Sequence, residues 1–129
     1  MAGYSGTPLE RKLGVKPGQV VFLDGAPDGF ELDAPTTRRL AKNLELTLTF
    51  HTDVSRLRRR LPQLIERTTQ AGMIWVCWPK KASRVPTDVD EGVVRETGLS
   101  AGMVDVKICA VDEVWSGLKF VRRLADRTG

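Results

Sequence analysis

Two short stretches of this chain, residues 20–23 (Val-Val-Phe-Leu) and 73–78 (Met-Ile-Trp-Val-Cys-Trp), are apolar at every position. A strand points successive side chains to opposite faces, so a run without polar interruption needs cover on both sides. Strands of that kind belong to sheets with helices packed on either face. Glycine and proline bound both runs, Lys16-Pro17-Gly18 before the first and Pro79 after the second, which keeps them at strand length.

The remaining pattern fits the same architecture. Thr7-Pro8-Leu9-Glu10 reads as a capping box opening a short helix that Gly14 stops. The first strand is expected over residues 19–23, and Gly25-Ala26-Pro27-Asp28-Gly29 breaks it. Residues 36–40 suit a short edge strand. Leu44, Leu46, Leu48 and Phe50 alternate with Glu45, Thr47 and Thr49, the pattern of a strand covered on one face. From Asp53 to Ala71, Val54, Leu57, Leu61, Leu64 and Ile65 recur at helical spacing, with Asp53 or Thr52 as cap and an expected kink or break at Pro62. Asp88 and Glu91 offer a capping box for a helix reaching Thr97, with Gly98 past its end. Val104, Val106, Ile108 and Ala110 alternate as a strand, and Asp112-Glu113 turns the chain into an antiparallel partner through Leu118 and Phe120. Strands and helices in this order predict an α/β fold: a mostly parallel sheet with helices on both faces and a C-terminal antiparallel β-hairpin.

Length and charge narrow the functional classes. A chain of 129 residues predicts one domain over 1–129. No apolar run approaches the ~18 residues of a membrane span, and residues 1–20 lack the apolar stretch of a signal peptide. Cys77 and Cys109 lie inside apolar strands, which predicts buried free thiols and a cytoplasmic setting. With His51 they make too few ligands for zinc, so no metal and no cofactor are expected. A net charge of +4 permits nucleic acid without requiring it.

Two resemblances follow from particular residues. The lead-in Leu13-Gly14-Val15-Lys16-Pro17-Gly18, the strand after it and Asp24-Gly25 resemble the entry to a class I methyltransferase. So do the later helix, Ala71-Gly72, strand and hairpin. This resemblance implies a truncated Rossmann-like, methyltransferase-like sheet. It departs where the methyl-donor loop needs a glycine and this chain has Pro27, bulkier and without an N–H. That departure implies no S-adenosylmethionine binding. Met1-Ala2-Gly3-Tyr4-Ser5-Gly6-Thr7-Pro8-Leu9, Trp78-Pro79-Lys80-Lys81-Ala82-Ser83, Thr87-Asp88 and Val111-Asp112-Glu113 with Trp115-Ser116-Gly117-Leu118 resemble a family of small bacterial proteins. That family is found mostly in high-GC Gram-positive species and is labelled a domain of unknown function. It implies no catalytic residues.

Ligands of open α/β sheets bind beyond the carboxyl ends of the strands, where strand order reverses. That edge should present Gly25, Gly29, His51, Lys80, Lys81, Ser83, Arg84 and Thr87. The lysines, Arg84, the Ser83 hydroxyl and the following helix N-terminus suit a small anion; a solvated basic loop is the plainer reading. His51, the only histidine, would make a nucleophile-activating pair if it lay beside Cys77 or Asp24, but a strand-end hydrogen bond to backbone is the far commoner role. Arg56, Arg58, Arg59 and Arg60 form a basic helix face that either meets nucleic acid or simply faces water. Trp75 and Trp78 fall on opposite strand faces, and Trp115 suits core packing or a partner anchor. The reading that results is a non-catalytic module for a small anionic ligand or a protein partner. The alternatives are a divergent methyltransferase-like enzyme and a nucleic-acid binder using residues 56–60.

Overall fold

The computed structural model describes residues 8–126. In chain order the elements are α1 (Leu9–Leu13), β1 (Val21–Asp24), β2 (Thr36–Thr37), β3 (Leu44–Phe50), α2 (Val54–Glu66), β4 (Thr68–Pro79), α3 (Glu91–Ser100), β5 (Met103–Ala110) and β6 (Trp115–Arg122). Single 3-10 turns occupy Lys81–Ser83 and Leu124–Asp126. The strands form one sheet in the order β2-β1-β3-β4-β6-β5. The first four run parallel, and β6 lies antiparallel to both β4 and β5. This is the mixed α/β sheet with a closing hairpin that the pattern predicts. No helix among the described residues is long and apolar enough to cross a membrane.

Each face of the sheet has its own core. On one, α2 and α3 lay Leu57, Leu61, Leu64 and Val94 over Phe22, Ile74, Val76, Trp78, Leu118 and Phe120. On the other, α1 and residues 26–34 cover Leu46, Leu48, Phe50, Trp75 and Cys77. Helices therefore sit on both faces, but unequally. The thin side is secured by Trp75, whose Nε1–H donates to the Leu13 carbonyl at 2.9 Å and so satisfies one open end of α1. Gly14 takes φ +86°, a left-handed cap open to glycine, and turns the chain back toward the sheet.

Several local expectations need correction. The Thr7 cap lies outside the described residues; Glu10 accepts a hydrogen bond from the Asp33 amide. β3 is buried on both faces, because α2 folds over Thr47 and Thr49, which are fully buried. α2 runs through Pro62 as one helix. Arg58, whose carbonyl loses its amide partner there, is exposed, so water can take the vacancy. The helix ends at Glu66, and β4 begins at Thr68 rather than Met73. α3 is capped by Asp90, while Asp88 accepts from the Val54 amide at the start of α2. Gly98 lies inside α3, where a Cβ would fall within the Phe120 ring. Close helix–strand approach, not helix termination, is what that glycine serves.

Candidate functional site

Strand order reverses between β1 and β3, and their carboxyl ends carry a buried polar chain. The register sets Asp24 beside Thr49, and His51 lies two residues on, hence on the same face. That face is the one beneath α2. Thr49 Oγ lies 2.8 Å from Asp24 Oδ2 and 2.7 Å from His51 Nε2. Arg60 descends from α2 and grips Asp24 twice, Nε to Oδ2 at 2.9 Å and Nη2 to Oδ1 at 2.8 Å.

Proton accounting fixes the state of this chain. The Arg60 pair holds the Asp24 carboxyl below its ordinary range: burial pushes it up, but hydrogen bonds from Arg60 and Thr49 and the Arg60 charge outweigh burial. Asp24 is thus an acceptor only, and Thr49 must donate to it. The Thr49 oxygen then accepts from His51, which places the imidazole proton on Nε2. Nδ1 is left as a bare lone pair, buried and without a partner among the described residues. His51 is 3% exposed, and its pKa falls to about 4. Burial is the main cause, the charges of Arg56 and Arg60 add to it, and Asp24 opposes it. The ring is neutral at physiological pH.

The residues expected at the strand edge divide into two groups. Gly25 and Gly29 take φ +73° and +82° in the loop after β1, and Gly25 sits against the Phe50 carbonyl. That loop is tied down from within, because Arg38 donates to the carbonyls of Ala26 and Pro27. The second group surrounds a groove of about 770 Å³ beyond the end of β4. Lys80, Lys81 and Thr87 line it over a floor that includes Trp78, but so do Asp88, Asp90 and Glu91. Ser83 and Arg84 do not line it. Ser83 Oγ donates to the Lys80 carbonyl, Thr87 Oγ to the Thr52 carbonyl, and Lys80 Nζ to the Asp112 carbonyl. The groove lies on the His51 side of the sheet. Phe50 pairs with Cys77, so the next residues along, His51 and Trp78, are neighbours on one face. The loop around Thr87 and Asp88 is stitched to the Thr52 carbonyl between them.

Sequence reasoning missed Asp24, Thr49 and Arg60 as one unit. The available signal was the carboxyl-edge position of Asp24 together with a threonine two residues before the only histidine. The arginine face is also partly spent: Arg60 serves Asp24, and Arg58 lies 3.7 Å from Glu96. Trp115 packs edge-on against Phe50 at 5.1 Å, with Phe30 on the other side, which assigns it to the core. Cys77 is fully buried and free, whereas Cys109 is free but half-buried, since β5 is an edge strand.

Comparison with family models and with curated proteins gives no match. Solved structures do match. The chain is similar to LepI in complex with SAM, with a TM-score of 0.56 and 10% identity over 89% of this chain. It is similar in the same degree, at 9% identity, to a LepI variant in complex with SAH and a substrate analogue. A structure described as a pericyclic reaction enzyme follows at a TM-score of 0.51 and 10% identity. The likeness shows the fold, a Rossmann-like, methyltransferase-like α/β sheet. The chain spans 39% of the length of each of these proteins.

Proposed function

We propose that this chain is a divergent methyltransferase-like enzyme whose reacting centre lies at the carboxyl ends of β1 and β3, with His51 as its proton acceptor. One observation carries the reading. The only histidine is buried at the switch point, oriented through Thr49 by an ionised Asp24, and keeps an unpaired lone pair on Nδ1. A buried acceptor without a partner costs about 1–3 kcal/mol, a cost that a ligand hydroxyl, amine or acidic C–H would relieve once the cover over the ring opens, since Nδ1 is closed to solvent here. The carboxylate–threonine–imidazole chain fixes the tautomer, and the Asp24 charge offsets part of the burial and of the Arg56 and Arg60 charges that disfavour the imidazolium, the role of the third member in nucleophile–base–orienter constellations. The fold likeness to SAM- and SAH-bound LepI supports an enzyme over an inert module. Pro27 and the tied carbonyls of its loop argue for proton transfer without methyl transfer. Membership of the bacterial family suggested by the Trp78–Ser83 string belongs to the same proposal, and buried, free Cys77 supports a cytoplasmic setting.

The test uses 5-nitrobenzisoxazole, from which a base removes the C3 proton as the N–O bond breaks to give a coloured cyanophenolate. Wild type should turn it over above the buffer rate and His51→Gln should not, while calorimetry with S-adenosylmethionine shows no heat. Equal rates in the two proteins would overturn the assignment of His51. Micromolar binding of S-adenosylmethionine would replace proton transfer by methyl transfer.

A further inference from the structure

The groove beyond β4 has a charge pattern that neither a simple anion site nor a simple cation site explains. Its floor is apolar, with Trp78, Val89 and Ile108, and its rim carries charges of both signs. Most of those charges already have work. Lys80 Nζ is bonded to the Asp112 carbonyl, and Glu91 pairs with Arg95 at 3.0 Å. Asp88 and Asp90 each use one oxygen, Oδ1, on a helix amide, of Val54 and Val93 respectively. What remains, on exposed residues that line the groove, is the Lys81 ammonium and the second carboxylate oxygen of Asp88 and of Asp90; none of these makes a hydrogen bond or ion pair among the described residues.

We infer that this groove binds a zwitterionic small molecule with an apolar body, of the class of an apolar α-amino acid. Its carboxylate would meet Lys81, its ammonium Asp88 and Asp90, and its apolar part the Trp78–Ile108 floor. A ligand bearing only negative charge would be drawn to Lys81 and repelled by the two carboxylates, and a cation would suffer the reverse. An uncharged apolar ligand would strip water from three charges without compensation. At about 770 Å³ the groove is within the ~300–1,000 Å³ range of small-molecule sites. The inference names the substrate class for the face on which His51 lies and so rests on the reading of that face as a ligand site; the groove does not itself include His51.

The experiment is calorimetric titration of L-phenylalanine, 3-phenylpropionate and phenethylamine into wild type, Lys81→Ala, the double variant Asp88→Asn with Asp90→Asn, and His51→Gln. Asparagine keeps the capping acceptor of each aspartate, so both helices retain their first turns. L-phenylalanine should bind wild type and His51→Gln alike, with each singly charged analogue at least tenfold weaker. Lys81→Ala should abolish the advantage over phenethylamine, and the double variant the advantage over 3-phenylpropionate. Equal binding of 3-phenylpropionate and L-phenylalanine to wild type would make the groove an anion site and overturn the inference. Absence of L-phenylalanine binding to wild type would overturn it as well, while the proton-transfer assay on His51 would stand or fall separately.

Discussion

Arg60 and Asp24 are joined by two parallel hydrogen bonds of 2.9 and 2.8 Å, so the end of β1 is clasped to the middle of α2. The fork geometry is one that a lysine cannot reproduce. Arg60→Ala leaves a half-buried carboxylate without its counter-charge. It should cost about 2–3 kcal/mol, short of the ~3–5 kcal/mol for a fully buried pair because both side chains touch solvent. Arg60→Lys should recover part of that loss. Urea denaturation of the three proteins measures both.

His51 predicts a particular acid sensitivity. Its folded pKa of about 4 lies below the ordinary 6.5, so the unfolded chain takes up a proton that the folded chain refuses. The contribution to stability is present above pH 6.5 and is lost as pH falls toward 4. A shift of this size corresponds to about 3 kcal/mol over that window. Melting temperature should fall between pH 6.5 and 4.5 in wild type and much less in His51→Gln, whose amide can still donate to Thr49. Parallel curves for the two proteins would remove His51 as the cause.

Gly98 and Phe120 make a steric pair. A methyl group on Gly98 collides with a ring that is fully buried and has nowhere to turn. Gly98→Ala should destabilise by about 2–3 kcal/mol despite alanine's better helix propensity. Adding Phe120→Leu should cost less than the sum of the two single changes, a coupling that a double-mutant cycle reads directly.

The thiols should separate cleanly. Burial raises the pKa of both, and far more for Cys77. A thiol reagent at pH 8 should label Cys109 slowly in the native protein and leave Cys77 untouched until denaturant is added. Labelling of Cys77 at the Cys109 rate would show that the sheet opens at β4.

The sheet was legible because its signal is local. Residues 73–78 need cover on both faces wherever they sit, and Gly14 ends a helix whatever follows. The site was less legible because it is assembled from side chains that look ordinary one at a time. Thr47 and Thr49 alternate with leucines, and alternation reads as a wet face; only the placement of α2 over β3 makes those hydroxyls buried. Arg60 sits in a run of arginines, and nothing in the run distinguishes the one that points inward. Asp88 and Asp90 lie two residues apart with equal claims to cap α3. The choice depends on where the Val54 amide ends up, a contact across 34 residues. Tertiary position decided each of these cases.

The order of the strands in space also bears on how the protein is made. β5 and β6 are joined by residues 111–114, and the Asp112 carboxylate fastens that turn to the amides of Val114 and Trp115. β1 finds only the two-residue β2 nearby and must wait for β3, across residues 25–43, for its longer partner. Short loops close at lower entropic cost, so the second half of the chain is expected to order first. On the ribosome, however, β1 emerges well before β3, its longer partner. During synthesis Val21, Phe22 and Leu23, all buried in the finished sheet, face solvent until β3 has left the exit tunnel. A chaperone that binds apolar segments should therefore be captured at β1, on stalled chains long enough for β1 but not β3 to have left the tunnel.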